Sequence, residues 1–312
     1  MKNLRLLALC GLTQFAVFAH ATYDLILAVD AANDRIDRID GTTGASLGSF
    51  GTGFFTDPSA VVANPATGRA YVYDAFREEI SVFNYSTGVF LQSVSTVPYR
   101  TGAGPYGTLS LGKNNEVLFA NYFGAGRRFS ADLGLLGTYD LPSGQIGTSG
   151  ASLAGDGFVY SSVYASRQIL KYNYAGGAHV AASVAVPGGS ILRDLDFQGV
   201  NGIVVDNAGQ VYRIITGAVP STSLIVDLSS TMTEVWGARF GHGNLAYVSG
   251  IRKSDSKKII RKLNFNNGSS YGDIELSGTI RGIEVIAAPE PGSMIALGLG
   301  TVALLRRRKS AV

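Results

Sequence analysis

The sequence is poor in the side chains that carry out most covalent and metal chemistry. Among 312 residues there is one cysteine and there are three histidines. The cysteine, Cys10, lies in an apolar N-terminal leader, so the rest of the chain offers neither a disulfide nor a thiol nucleophile. The body's two histidines, His179 and His242, are far apart, and no His-x-x-x-His or paired ligand spacing accompanies them, which argues against a zinc site. Charge is scarce as well, at 16% of residues. Six basic residues sit at the two ends, Lys2, Arg5, Arg306, Arg307, Arg308 and Lys309. With those and Glu290 set aside, the chain's 26 basic and 23 acidic residues become 20 and 22. A body that is slightly acidic has no field to draw it onto a phosphate backbone, so nucleic acid is not an expected partner.

What is abundant is glycine, 40 residues, within a chain that is 46% hydrophobic. That is too apolar for disorder and too glycine-rich for a helical protein. At this length a core can form without disulfides or metals.

Both ends read as processing signals. Residues 1–21 combine a positive start (Lys2, Arg5), an apolar stretch from Leu6 to Phe18, and the small-x-small pattern Ala19-His20-Ala21. This is the pattern of a secretory signal peptide, cut by signal peptidase so that the mature chain starts at Thr22. At the other end, Pro289-Glu290-Pro291 precedes an apolar run over 293–305 and then Arg306-Arg307-Arg308-Lys309. As a helix, the stretch from Pro291 to Leu305 reaches about 22 Å at ~1.5 Å per residue, short of a hydrocarbon core of about 30 Å. Local thinning and snorkelling arginines close such a gap. The basic cluster stays cytoplasmic, which leaves the body outside the inner membrane.

This three-part tail, residues 289–312, resembles the PEP-CTERM sorting domain. The resemblance implies recognition of Pro289, Glu290 and Pro291 by exosortase, a membrane protease-transpeptidase. It also implies retention of the substrate in the membrane by the short helix and by Arg306, Arg307 and Arg308. It carries the expectation of a Gram-negative-type envelope and an exopolysaccharide-producing setting, with the protein ending at the cell surface or in the extracellular matrix. An ordinary tail anchor is the plainer alternative. The resemblance speaks to sorting and not to what the body does.

The body, residues 22–288, is a repeat. Short apolar strands start at Leu27, Tyr71, Leu118, Val159, Ile203 and Ala246, separated by 44, 47, 41, 44 and 43 residues. Each is followed by a turn and a second strand, and Arg35–Asp40, Glu79–Asn84 and Gln168–Asn173 alternate apolar with polar as half-buried strands do. Next come glycine-bearing turns, Gly41–Gly44, Tyr85–Gly88, Tyr174–Gly177 and Asn266–Gly268, whose Gly and Asn tolerate positive φ. Small-residue strands precede the repeats, as in Pro58–Val62, Tyr106–Ser110 and Gly150–Ala154, and suit the crowded centre of a radial array. Four strands in about 44 residues is the period of a β-propeller blade. The expected fold is all-β, a six-bladed propeller of four-stranded blades. A seventh blade in an irregular stretch is the alternative. The first repeat lacks its inner strand and the far end supplies one, Gly282–Ile286, so strands from both termini should close blade one and leave no open edge. From Arg69 to Asn121 the pattern Tyr71-Val-Tyr-Asp74, Ser86-Thr-Gly88, Pro105-Tyr-Gly107 is similar to the YVTN and NHL classes of propeller repeat.

Two groups of residues are candidates for a site. Asp30, Asp74, Asn121 and Asp206 end equivalent strands in four repeats and should share one face at similar radius. As oxygen ligands near a channel they would suit a divalent cation, calcium above all. As turn-initiating residues they would close their hairpins through their own backbone, the reading that their strict repetition favours. Asp30–Asp34 is similar to a calcium loop but lacks the downstream Gly and Glu ligands. The second group breaks the repeat: Arg193-Asp194, Asp196, Trp236 and Arg239 interrupt small-residue inner strands. Asp196 or Arg239 directed into the channel would hint at function; a salt bridge capping the channel is the structural alternative. Tyrosines could stack on sugar rings, though as repeat positions they pack first in the core or rim.

No complete catalytic set is present, and no cofactor or metal is required. The expected function is a noncatalytic surface or matrix protein whose propeller is an interaction module, with exopolysaccharide or other envelope proteins as partners. The alternative is a secreted lactonase-like or glycan-acting hydrolase with a cation in the channel.

Overall fold

The computed structural model describes residues 24–97, 107–122, 124–143, 145, 147–164, 166–188 and 190–287, with the side chains of all of these but 181 and 182. The leader 1–21, Pro289, Glu290 and Pro291, the run 293–305 and Arg306 to Arg308 lie outside the described residues, as do Pro105 and Tyr106. Among the described residues no helix is long and apolar enough to cross a membrane.

Six four-stranded antiparallel sheets form the body, one per repeat. Blade 1 consists of β1 (Leu25–Asp30), β2 (Arg35–Asp40) and β3 (Ser46–Phe50). Blade 2 runs through β4 (Pro58–Asn64), β5 (Arg69–Asp74), β6 (Glu79–Asn84) and β7 (Phe90–Ser95). Blade 3 is β8 (Gly107–Leu111), β9 (Val117–Asn121), β10 (Gly126–Phe129) and β11 (Leu135–Tyr139). Blade 4 is β12 (Thr148–Leu153), β13 (Val159–Val163), β14 (Gln168–Tyr172) and β15 (His179–Ala185). Blade 5 is β16 (Leu192–Gln198), β17 (Asn201–Asp206), β18 (Gln210–Ile215) and β19 (Ser221–Asp227). Blade 6 is β20 (Met232–Phe240), β21 (Leu245–Arg252), β22 (Lys258–Asn264) and β23 (Ser270–Leu276). The last strand, β24 (Ile280–Ile286), returns to blade 1 and pairs antiparallel with β1, Leu25 opposite Ile286 and Ala28 opposite Ile283. The propeller is thus closed by strands from both ends, as the offset repeat requires, and no seventh blade lies among the described residues.

The repeat exists because each blade buries apolar side chains against its neighbours. Six buried clusters form, one at each junction between blades. At the junction of blades 1 and 2 the cluster is aromatic, with Phe83 ringed by Phe50, Phe54, Phe55 and Phe90 at centroid distances of 5.4 to 5.5 Å. Each buried Leu, Ile or Phe side chain stabilises by about 1.5–3 kcal/mol, so no single blade is stable alone and the ring as a whole is.

Inner strands all begin on one face of the disc, here called the upper face, and end on the lower. On the lower face the third-to-fourth-strand turns of blades 1, 2 and 6 share one chemistry. The amides of Gly44, Gly88 and Gly268 donate to the carbonyls of Asp40, Asn84 and Asn264 at 2.7 Å. The side chains of those same three residues accept from amides inside the turn. The three glycines have φ of +77°, +75° and +72°, a region that side chains with a Cβ avoid.

A ring of cations ties each blade to the next at this face. Arg38 of blade 1 donates to the Ser86 carbonyl of blade 2. Lys171 of blade 4 donates to Gly217 O of blade 5 at 2.9 Å, Arg213 of blade 5 to Phe265 O of blade 6 at 2.9 Å, and Lys262 of blade 6 to Thr42 O of blade 1 at 3.0 Å. Arg128 of blade 3 stacks 4.7 Å from the Tyr174 ring of blade 4. All five cations sit two residues before the end of the third-strand motif. Blade 2 has Val82 there, and Arg69 from the adjacent strand reaches Ala131 O of blade 3 at 3.1 Å instead.

Candidate functional site

The four residues that follow the repeat are buried at the upper end of the second strands, where the sequence places them. The side chains of the three aspartates hold the upper turns. Asp74 accepts from the amides of Phe76 at 3.0 Å and Arg77 at 2.8 Å with one oxygen, and from Thr56 at 2.6 Å and Asp57 at 3.3 Å with the other. It therefore fastens its own turn and the incoming loop from blade 1. Asp206 accepts from Ala208 at 3.1 Å and Gln210 at 2.9 Å, with Arg167 beside its second oxygen at 3.4 Å. Asp30 accepts from Ala32 and Asn33 and pairs with Arg35 at 3.5 Å. Asn121 contacts Tyr73 through its amide nitrogen at 3.5 Å. These three carboxylates serve backbone amides at three separate blades and form no shared ligand set. Among the described residues there is no group of three or more His, Cys, Asp or Glu side chains set to hold a metal ion.

The residues that break the repeat do converge. Arg239, on inner strand β20, lies across the channel. It pairs with Asp194 of blade 5 and, through Nε at 3.1 Å, with Glu284 of β24, and it donates to Leu109 O of the opposite blade at 3.1 Å. Asp194 also accepts from the amides of Leu195 at 2.9 Å and Ala238 at 3.3 Å. Asp196 accepts from Phe197 at 2.8 Å and Phe240 at 3.0 Å. Burial pushes both aspartates above the usual carboxylate range, with Arg239 opposing the shift. Burial likewise pushes Glu284 up to about 8. Burial pulls the Arg239 guanidinium down, but Asp194, Asp196 and Glu284 outweigh it and hold Arg239 above its ordinary value.

The salt bridge thus plugs the channel. Above it remains a space of ≈ 20 Å³ bordered by Ser59, Thr108, Tyr122, Trp236 and Arg281. Below it, a cavity of ≈ 140 Å³ is lined by Ser110, Ser152, Asp196, Glu284 and Arg239. The first holds about one water molecule and the second a few. Sequence reasoning singled out Asp196 and Arg239 but passed over Glu284, whose signal was an acidic residue in the middle of the apolar strand Gly282-Ile-Glu-Val-Ile286.

Around the upper mouth sits a rim of aromatic and cationic side chains that no repeat predicts. The Arg193 guanidinium lies 4.7 Å from the Trp236 ring and 5.6 Å from the Tyr122 ring, and it donates to the Tyr122 hydroxyl at 2.9 Å. Tyr122 in turn packs on Tyr164, ring centres 4.6 Å apart. Burial raises the Tyr122 phenol to about 12, so it stays protonated and able to donate. Arg281 pairs with Asp57 on the far side of the mouth. Blades 3, 4, 5 and 6 meet here, each supplying one of these rings or the cation. Trp236, Tyr164 and Arg193 keep part of their surface exposed.

A profile of the PEP-CTERM protein-sorting motif matches residues 287–309. No curated protein sequence matches the chain. Solved structures of similar fold include virginiamycin B lyase from Staphylococcus aureus, at 16% identity over 77% of each chain and a TM-score of 0.57. A candidate 6-phosphogluconolactonase from Bacteroides uniformis is similar at 16% identity, over 83% of this chain and 84% of that one, with a TM-score of 0.56. A chain of the nidogen/laminin complex is similar at 11% identity, over 84% of this chain and 98% of that one, with a TM-score of 0.64. At such identities the likeness is one of fold, and fold does not carry function. The protein is a six-bladed β-propeller that carries a PEP-CTERM sorting motif, which implies export and sorting by exosortase.

Proposed function

We propose that this is a cell-surface or extracellular-matrix protein whose propeller is a noncatalytic binding module, with its site at the upper mouth of the channel. The observation that carries the reading is the Arg193 clasp between Tyr122 and Trp236, seated over a channel whose own charges already face one another. The partly exposed Trp236 indole and Tyr164 ring offer flat apolar faces to sugar rings, and the neighbouring Arg193 guanidinium offers paired donors to hydroxyls or carboxylates. Surface or matrix polysaccharide is therefore the ligand class. Among the described residues no group of three or more His, Cys, Asp or Glu side chains is set to hold a metal ion at the rim. The test is retention of the purified protein on immobilised acidic and neutral polysaccharides. Wild type should be retained, and Trp236→Ala and Arg193→Ala should each lose retention while still unfolding in a single cooperative transition. Retention untouched by both substitutions would reject the site.

A second reading, a lactonase-like or glycan-acting hydrolase, draws on the lyase and the candidate lactonase of like fold and on Asp196 and Glu284 lining the lower cavity. It requires a divalent cation there, and metal analysis of the purified protein decides between the two.

A further inference from the structure

We propose that, while the sorting tail is still in the membrane, the propeller lies with its lower face against the bilayer and its upper mouth directed away from it. The inference rests on the reading of the tail as a membrane anchor and adds an orientation that the tail alone does not give. Three observations carry it. First, both ends of the propeller leave by the lower face. β1 begins and β24 ends there, with Leu25 directly opposite Ile286. Second, the tether is short. From Ala287 to Ser293, where the apolar run begins, there are six peptide steps, which reach at most ~22 Å at about 3.3–3.6 Å each. A disc held that closely by one face cannot turn over to offer the opposite face to the lipid.

Third, the two faces differ in chemistry. Upper turns and loops are densely charged, with Asp30, Asp34, Asp57, Asp74, Asp206 and Asp227 beside Arg77, Arg167, Lys253, Lys257 and Arg281, and with Asp30, Asp57 and Asp206 held in ion pairs. The lower turns are tipped by uncharged residues such as Thr42, Thr43, Ser86, Thr87, Asn266 and Asn267. Of the acids at the lower turns, Asp132 is paired with Arg69, Asp156 with Lys171 and Glu116 with Arg128, while Asp40 accepts from the amides of Thr42 and Thr43. Blade 5 adds exposed apolar tips on this side, with Val200 at 51% and Val219 at 80% exposure. The lower face therefore meets a lipid surface at a smaller cost in desolvated charge than the upper one. The consequence for function is that the rim formed by Tyr164, Arg193 and Trp236 stays open to a ligand before the tail is processed.

The test uses the full chain, with Cys10→Ser, expressed in a host without the sorting enzyme and reconstituted into vesicles containing anionic lipid and nitroxide-labelled lipid. A fluorophore is placed on a single cysteine at Val219→Cys, lower face, or at Phe76→Cys, upper face. Both parent side chains are largely exposed, at 80% and 73%, so neither change disturbs packing. Flotation after an alkaline wash reports whether the tail anchors at all. With the protein anchored, lipid quenching several-fold stronger at 219 than at 76 supports the orientation. Equal quenching, or stronger quenching at 76, overturns it while the anchor stands. Release by the alkaline wash overturns the anchor itself and the orientation with it.

Discussion

Two sets of charged residues sit within one propeller and behave in opposite ways. Asp30, Asp74 and Asp206 follow the repeat, and each binds the backbone of its own blade edge. Asp194, Asp196, Arg239 and Glu284 break the repeat, and they meet at the channel. The first set recurs at the end of the second strand, one strand out from the channel, so each member stays on its own blade. The second comes from blades 5, 6 and 1, and only ring closure by β24 brings Glu284 to Arg239. A recurring acid in a propeller therefore reads as a turn fastener, and an acid found in one blade only reads as part of the centre.

The comparison can be broken most strongly at Arg239. Arg239→Ala leaves Asp194 and Glu284 buried beside a void, and should destabilise the fold by about 3–5 kcal/mol in chemical denaturation. Asp74→Ala strips acceptors from the amides of two loops but leaves them within reach of water, so a smaller loss of about 1–3 kcal/mol is expected by the same measurement. If Asp74→Ala cost more than Arg239→Ala, the division between edge and centre would be wrong.

The pH dependence sharpens the same contrast. Glu284 titrates near its ordinary value of 4.5 in the unfolded chain and at about 8 in the folded protein. The folded state therefore holds a proton that the unfolded chain has released. The stability this confers is complete below about pH 4.5 and is lost as pH rises through about 8. The melting temperature should fall over that interval, and Glu284→Gln, which cannot titrate, should flatten the fall. A slope unchanged in Glu284→Gln would place the titration elsewhere. The smallest effect belongs to the lower ring: Arg38→Ala removes the contacts to the Tyr85 and Ser86 carbonyls near solvent and should cost about 1 kcal/mol.

Much of this architecture was legible in the sequence. The 44-residue period gave the blade count, and the offset repeat gave the closure. Turn positions such as Gly44, Gly88 and Gly268 were readable because positive φ leaves few residues to choose from. The upper aspartates were legible in place and in their local role, since an Asx-type turn depends on a few adjacent residues. Glu284, Tyr122 and the ring of lower-face cations were not singled out, because their partners come from other blades. In the cation ring a faint signal existed: Arg38, Lys171, Arg213 and Lys262 occupy one repeat position, and Arg69 covers for Val82 in blade 2. Read without the fold, they are exposed basic residues on amphipathic strands. The rim was half legible, with Arg193 and Trp236 visible as departures from small-residue strands and their clasp visible only once blades 3, 5 and 6 were adjacent.

The central claim is that the channel is closed by its own ion pairs and that binding belongs to the rim. Metal analysis of the purified protein, with melting followed at saturating calcium and after chelation, tests it most directly. The account predicts no stoichiometric ion and the same melting temperature in both conditions. One bound cation per chain, with a rise of several degrees in calcium that Glu284→Gln abolishes, would contradict it and make the lower cavity the site.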